Sequence, residues 1–147
     1  MAEHANLRMD DQPASYPKTA ACACGGLTVS VAAAPQIIHA CACLDCQRRS
    51  GSAFSYSAFF EESTVRIEGD SRTWRRSADS GRWHDAHFCP TCGVCVFVRL
   101  DALPQLVCVS VGCFAESSFQ GPVKLYWTSR RHDWLDLPHG IERIETQ

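Results

Sequence analysis

Three cysteines fall within six residues at Cys41, Cys43 and Cys46, inside HACACLDCQRRSG, and Arg48 and Arg49 follow almost at once. Thiols this dense do one of three things: knot the chain with disulfides, exchange electrons as a redox pair, or bind a metal. Two further groups narrow the choice, Cys22 and Cys24 in CACGG and Cys89 and Cys92 in FCPTCG. Glycines follow both, Gly25 and Gly26 after the first and Gly93 after the second. A glycine there lets the backbone turn tightly, so that successive thiolates converge on one ion and amide N–H groups are free to bond the sulfurs.

Soft thiolates in a tetrahedral shell point to Zn²⁺ first, with an iron–sulfur cluster second because no common ferredoxin spacing is present. Seven ligands divide as four plus three, one closed structural site and one with an open fourth position. Spacing alone leaves open which pairs join. If the two distant pairs share an ion, they clip an early strand to a late one across a loop of about 65 residues, and HACACLDC becomes a three-thiolate cup.

The compartment bears on the same choice. Ten cysteines in 147 residues approach the density of secreted disulfide scaffolds. Yet MAEHANLRMDDQPASYPKTAA scatters charges through the N-terminus without an apolar run, so it does not read as a secretory signal. The expectation is a cytoplasmic protein, where closely spaced cysteines bind metal or do redox chemistry more often than they form structural bridges. A redox role for Cys43 and Cys46 would want a βαβ setting, which is not legible. With 14 basic and 16 acidic residues there is no broad positive field for nucleic acid or a membrane surface.

The elements that must hold these sulfurs are short runs rich in β-branched and aromatic residues: LTVSVAA, QIIHACA, FSYSAFF, TVRIEG, HDAHFC, VCVFVRL, QLVCVSVG and VKLYW. Eight such runs, cut by Gly, Pro, Ser and Asp, predict one mostly β domain with antiparallel sheets. In the fourth run Val65 and Ile67 belong to one face, and Thr64, Arg66 and Glu68 to the other. The helical signal is one short turn before Gly51, with further turns near Cys113 and the C-terminus. Residues 1–18 are polar, contain Pro13 and Pro17, and read as a flexible leader before a single zinc-binding domain over 19–147.

The order CxCG, then Cys41-Ala-Cys43-Leu-Asp-Cys46-Gln-Arg48-Arg49-Ser-Gly51, then FCxxCG resembles the glutathione-dependent formaldehyde-activating enzyme family, whose domain also occurs in centromere protein V. The family's CxxCR pattern is shifted by one place, with Gln47 intervening; Ser129 and Trp134 resemble its Ser-x-x-x-x-Trp ending. The resemblance covers roughly residues 19 to 137. It implies an Mss4-like β-tent clipped by zinc, with a structural zinc on Cys22, Cys24, Cys89 and Cys92. It also implies a second, catalytic zinc on Cys41, Cys43 and Cys46. The partners it implies are small molecules, glutathione or another thiol and an electrophile such as formaldehyde.

Three thiolates and Zn²⁺ carry a net charge of −1, so the ion acidifies bound water weakly and suits a thiol as fourth ligand better than hydroxide. The expected reaction is addition of that thiol to a small electrophile, or cleavage of the carbon–sulfur bond so made. The alternative is a non-catalytic binding module in which both ions are structural. Arg48 and Arg49 are placed to meet a carboxylate of the cosubstrate, against the commoner state of a solvated surface pair. His39 is a candidate proton carrier or fourth ligand. Cys95, Cys108 and Cys113 read as small apolar residues of strands. His84 and His87, three apart, would face opposite sides of a strand and share no ion. Trp74, Trp83, Trp127 and Trp134, with Phe54, Tyr56, Phe59 and Phe60, are expected mostly in the core.

Overall fold

The computed structural model describes residues 15–77 and 81–147, so all but the last few residues of the expected leader lie outside the described residues. Each of the eight β-rich runs forms a strand: β2 (Thr28–Val31), β3 (Ile37–Cys41), β4 (Ser55–Glu61), β5 (Val65–Glu68), β7 (Trp83–Phe88), β8 (Cys95–Leu100), β9 (Leu106–Ser110) and β10 (Lys124–Tyr126). Three more strands complete the set: β1 (Lys18–Ala21), β6 (Arg72–Ser77) and β11 (Glu142–Ile144). Because β1 starts at Lys18 and Tyr16 packs on the core, the ordered fold begins slightly before residue 19.

Two sheets result. The smaller has the order β1-β2-β5; the larger has the order β11-β10-β3-β4-β9-β8-β7-β6. Pairing is antiparallel as expected except at one end, where β10 runs parallel to both β3 and β11. The chain passes through all the intervening strands before β10 returns to the outside of β3, which leaves room for the long connection that parallel neighbours require.

Alternation along the strands decides what each face does. On one face of the large sheet Ile38, Ala58, Phe60, Val107 and Val109 pack with Ala20, Val29 and Val31 of the small sheet, and this is the main core. Phe60, Val107 and Val109 are fully buried there. In β5 Val65 and Ile67 turn toward that core while Arg66 and Glu68 are exposed. On the opposite face Phe59, Ala86, Val98, Leu106 and Cys108 make a smaller apolar cluster. That second face also carries His39 and Cys41 on β3 and, across the register, Ser57 and Ser55 on β4.

The tryptophans differ from expectation. Trp74 is 69% exposed and Trp134 is 71% exposed, while Trp83 and Trp127 are half-buried. Trp74 lies on β6, the outermost strand of the large sheet, beyond which no further strand packs among the described residues. Trp134 follows the 3₁₀ turn Thr128–Arg130 in an irregular segment, where it meets His132 edge-on. The buried aromatic area comes instead from Phe59, Phe60, Phe97 and Phe114.

Candidate metal centres

CACGG and FCPTCG fold into two similar knuckles. In the first, the Cys22 N–H donates to the Leu27 carbonyl at 3.0 Å and the Leu27 N–H donates to Cys22 Sγ at 3.2 Å. In the second, the Cys89 N–H donates to the Val94 carbonyl at 3.0 Å and the Thr91 N–H donates to Cys89 Sγ at 3.4 Å. Gly25 and Gly93 both take φ of 78°, the left-handed region, and their N–H groups close the turns onto Cys22 and Cys89 carbonyls. Gly69, at φ 95°, admits the first knuckle: a Cβ there would stand 1.9 Å from the Gly26 carbonyl oxygen.

The knuckles meet. The sulfurs of Cys22, Cys24, Cys89 and Cys92 all lie within 4.8 Å of one another. Cys22 to Cys24 and Cys24 to Cys89 are each 3.6 Å. A tetrahedron with corners ~2.3 Å from a central Zn²⁺ has edges of about 3.8 Å, so the four sulfurs fit a closed zinc shell. Cys22 and Cys89 are buried against the main core, which ties the clip to the packing of both sheets. Cys95 stands outside this group, as expected.

The triplet forms at the end of β3. Cys41 is the last residue of that strand, and Cys43 caps the helix α1 (Leu44–Ser50), its Sγ accepting the Cys46 N–H at 3.3 Å. Gly51 ends the helix in the left-handed conformation with its N–H on the Gln47 carbonyl, the stop that the sequence signals. The three sulfurs lie within 4.8 Å of one another, and among the described residues no fourth His, Cys, Asp or Glu joins them. This donor set fits a thiolate-bound zinc with one open position. His39 shares the Cys41 face of β3 but is held between the rings of Phe59 and Tyr126, at 4.8 and 5.1 Å, outside the sulfur group.

The electrostatics separate the thiols within each group. Hydrogen bonds from Cys41 and Cys43 hold Cys46 well below the usual thiol range, helped by Ser55 and the Arg49 charge. Cys41 is pushed up by the same sharing. Among the four, backbone N–H groups lower Cys92 to about 6, while Cys24 rises to about 11. Burial pushes Cys108 and Cys113 up to about 11, in keeping with packing roles.

The arginine pair divides. Arg48 is exposed beside His132 and Trp134 in an open depression. Arg49 is half-buried and turned inward, with Nη1 donating to Cys95 Sγ at 3.7 Å. Gln47 donates from Nε2 to the Ala42 and Arg130 carbonyls and pairs through Oε1 with His132, tying the C-terminal segment to α1. The sequence noted Gln47 only as an interruption of a pattern. Also unforeseen is a chain across the second face, in which Arg76 bonds Asp45 of α1 at 2.9 Å and His84 Nδ1 at 3.0 Å. Only the period of two along β7 signals this in the sequence, since it sends His84 to the triplet's face and His87 to the other. His87 there stacks on Phe97 at 4.3 Å.

Along the seam of β3 and β10, Ile37, His39, Val123, Lys124 and Tyr126 line a cleft of ≈ 380 Å³. Among the described residues no helix is long and apolar enough to cross a membrane.

Comparison with known proteins agrees with this architecture. A Rhodobacter sphaeroides protein solved as a structural-genomics target superimposes with a TM-score of 0.54 at 20% identity, over 69% of this chain and 90% of that one. That likeness is one of fold. No curated protein matches the chain. Residues 17–130 match the family described as glutathione-dependent formaldehyde-activating enzyme, a span that contains all seven clustered cysteines and stops before Trp134. The chain therefore belongs to the glutathione-dependent formaldehyde-activating enzyme family.

Proposed function

We propose that the protein is a zinc-dependent carbon–sulfur lyase or thiol-adduct synthase working at Cys41, Cys43 and Cys46, with formaldehyde or another small electrophile as the carbon partner. The observation that carries this reading is the unequal pair of sulfur groups, one of four and closed, the other of three with no fourth protein donor beside it among the described residues. Cys41, Cys43 and Cys46 would hold a zinc ion there, which would supply a soft Lewis acid suited to a thiolate.

The chain's residues supply the rest. Cys41 on β3 and Cys43 and Cys46 at the head of α1 hold the triplet at the end of β3. Burial lowers the His39 pKa below its ordinary value, and His39 lines the cleft along the β3–β10 seam, whose volume suits the body of a small thiol. Arg48 is exposed and has no acidic partner among the described residues, so its guanidinium is available to a cosubstrate carboxylate such as those of glutathione. In the forward direction the thiol's sulfur bonds the carbonyl carbon, the C=O π bond breaks, and the oxygen ends with the proton that the thiol gave up. The reverse breaks the C–S bond and returns both parts.

The test is an NMR exchange experiment on glutathione and formaldehyde at equilibrium. The protein should accelerate exchange between free glutathione and its hydroxymethyl adduct, and the Cys43→Ser variant should not. A fully zinc-loaded protein that leaves the exchange rate of glutathione and of simpler thiols unchanged would favour the non-catalytic binding module.

A further inference from the structure

Arg49 differs from the arginines on the strands of the large sheet. Arg75 pairs with Asp85, Arg76 with Asp45 and Arg99 with Glu62. Arg49 is less exposed than a solvated side chain, and among the described residues no carboxylate pairs with it. Its Nη1 donates to Cys95 Sγ at 3.7 Å, and Arg49 stands three residues after Cys46 on α1, so the two side chains share one face of the helix. A guanidinium held partly out of water with no anion beside it is costly. An anionic centre close by removes that cost.

We propose that Arg49 is the built-in counter-charge of the triplet ion, a positioning residue that makes the open position prefer an anionic fourth ligand, and not a grip for the cosubstrate's carboxylate. The inference rests on the reading of the triplet as an open zinc site. Three thiolates around Zn²⁺ sum to −1, and Arg49 brings the local total to zero. A thiolate arriving as fourth ligand adds a second negative charge, which without Arg49 would face net repulsion in a partly buried site. Arg49 thus acts on the charge of the centre, while Arg48, one residue earlier and pointing to solvent, is left for the body of the ligand. The consecutive arginines divide two tasks because a one-residue step on a helix turns the side chain by about 100°.

The experiment uses protein carrying zinc on the four-cysteine site and Co²⁺ on the triplet, so that each fourth ligand is read from the cobalt spectrum. Three probes are titrated: 2-mercaptoethanol, which binds as a thiolate and has no carboxylate; thiocyanate, an anion that is not a thiol; and neutral imidazole. Arg49→Met should weaken both anions about 30-fold, the effect of a unit charge removed from several ångströms away in a half-buried site, and leave imidazole within about twofold. Arg49→Lys should keep most of the anion affinity, and it reads the same claim if the methionine variant fails to fold.

Equal losses for imidazole and the anions would overturn the proposal, as would loss of anion binding in Arg49→Lys as deep as in Arg49→Met. A defect seen with glutathione but not with 2-mercaptoethanol would also overturn it and make Arg49 a carboxylate anchor. If the wild-type protein takes thiocyanate but no thiol, the thiol chemistry fails while the Arg49 comparison still stands on thiocyanate. If it takes no fourth ligand at all, both fail.

Discussion

Replacing Cys89 and Cys92 together by serine removes one end of the clip while leaving the strands' apolar residues intact. Cys24 and Cys89 are 65 residues apart in sequence and 3.6 Å apart at their sulfurs, so an ion on the four-cysteine group closes a loop of that length. The loop-closure entropy of the unfolded chain alone is then worth about 4 kcal/mol at 25 °C, on the estimate used for a covalent cross-link. The energy of ordering both knuckles comes on top, so this is a lower bound. A domain of this size has roughly 5–15 kcal/mol of total stability, so the clip is a large part of its margin. The double variant should lose one zinc per chain and melt at least about 10 °C lower, measured by circular dichroism beside metal analysis. A variant that lost the zinc yet melted within about 3 °C of wild type would refute the argument that the ion joins the two sheets.

Other substitutions test separate links. Cys43→Ser should leave the melting transition nearly in place while one zinc and the exchange activity are lost, because the triplet lies at the edge of a strand and helix and not in the main core. Gly69→Ala should cost about 1–3 kcal/mol from its left-handed backbone alone, and more from the collision with the Gly26 carbonyl, and it should loosen zinc at the four-cysteine site. Phe60→Ala, in the fully buried centre of the main core, should cost about 3–5 kcal/mol by chemical denaturation.

His87 gives a pH signature. Burial first, and then Arg99, hold its pKa below the ordinary 6.5, and its Nε2 is buried without a partner. The unfolded chain therefore binds the proton more readily, so stability is full above pH 6.5 and falls as the pH drops through and below that value. His87→Phe, which keeps the stack on Phe97, should show a smaller fall in melting temperature between about pH 7.5 and 5.5. An unchanged pH slope would remove His87 from the account.

The eight strands were legible in the sequence because their β-branched or aromatic residues turn one face toward the core and turn residues bound them, as in TVRIEG, which ends at Gly69. The missed strands lack one of these signals. RTWRRS is an edge strand with five of its six residues exposed, so no hydrophobic period marks it. KTAA carries no large apolar residue, and ERI is three residues long. The parallel placement of β10 depends on tertiary contacts that no local pattern encodes.

At the metal centres, thiols and glycines at fixed spacing were readable because coordination chemistry restricts both. The division into Cys22, Cys24, Cys89 and Cys92 against Cys41, Cys43 and Cys46 was implied by family resemblance, and the fold brings those sulfurs together. The opposite fates of Arg48 and Arg49 were not readable. Which of two adjacent arginines turns inward depends on the helix phase that Cys43 and Gly51 set at its two ends.

The central claim is that one ion is closed and structural and the other open and reactive. Zinc per chain, measured on protein purified without chelator and again after mild chelation while near-ultraviolet circular dichroism follows the fold, tests it most directly. The account predicts about two zincs falling to one with the tertiary signal intact. Two zincs that leave only as the protein unfolds, or a single zinc from the start, would contradict it.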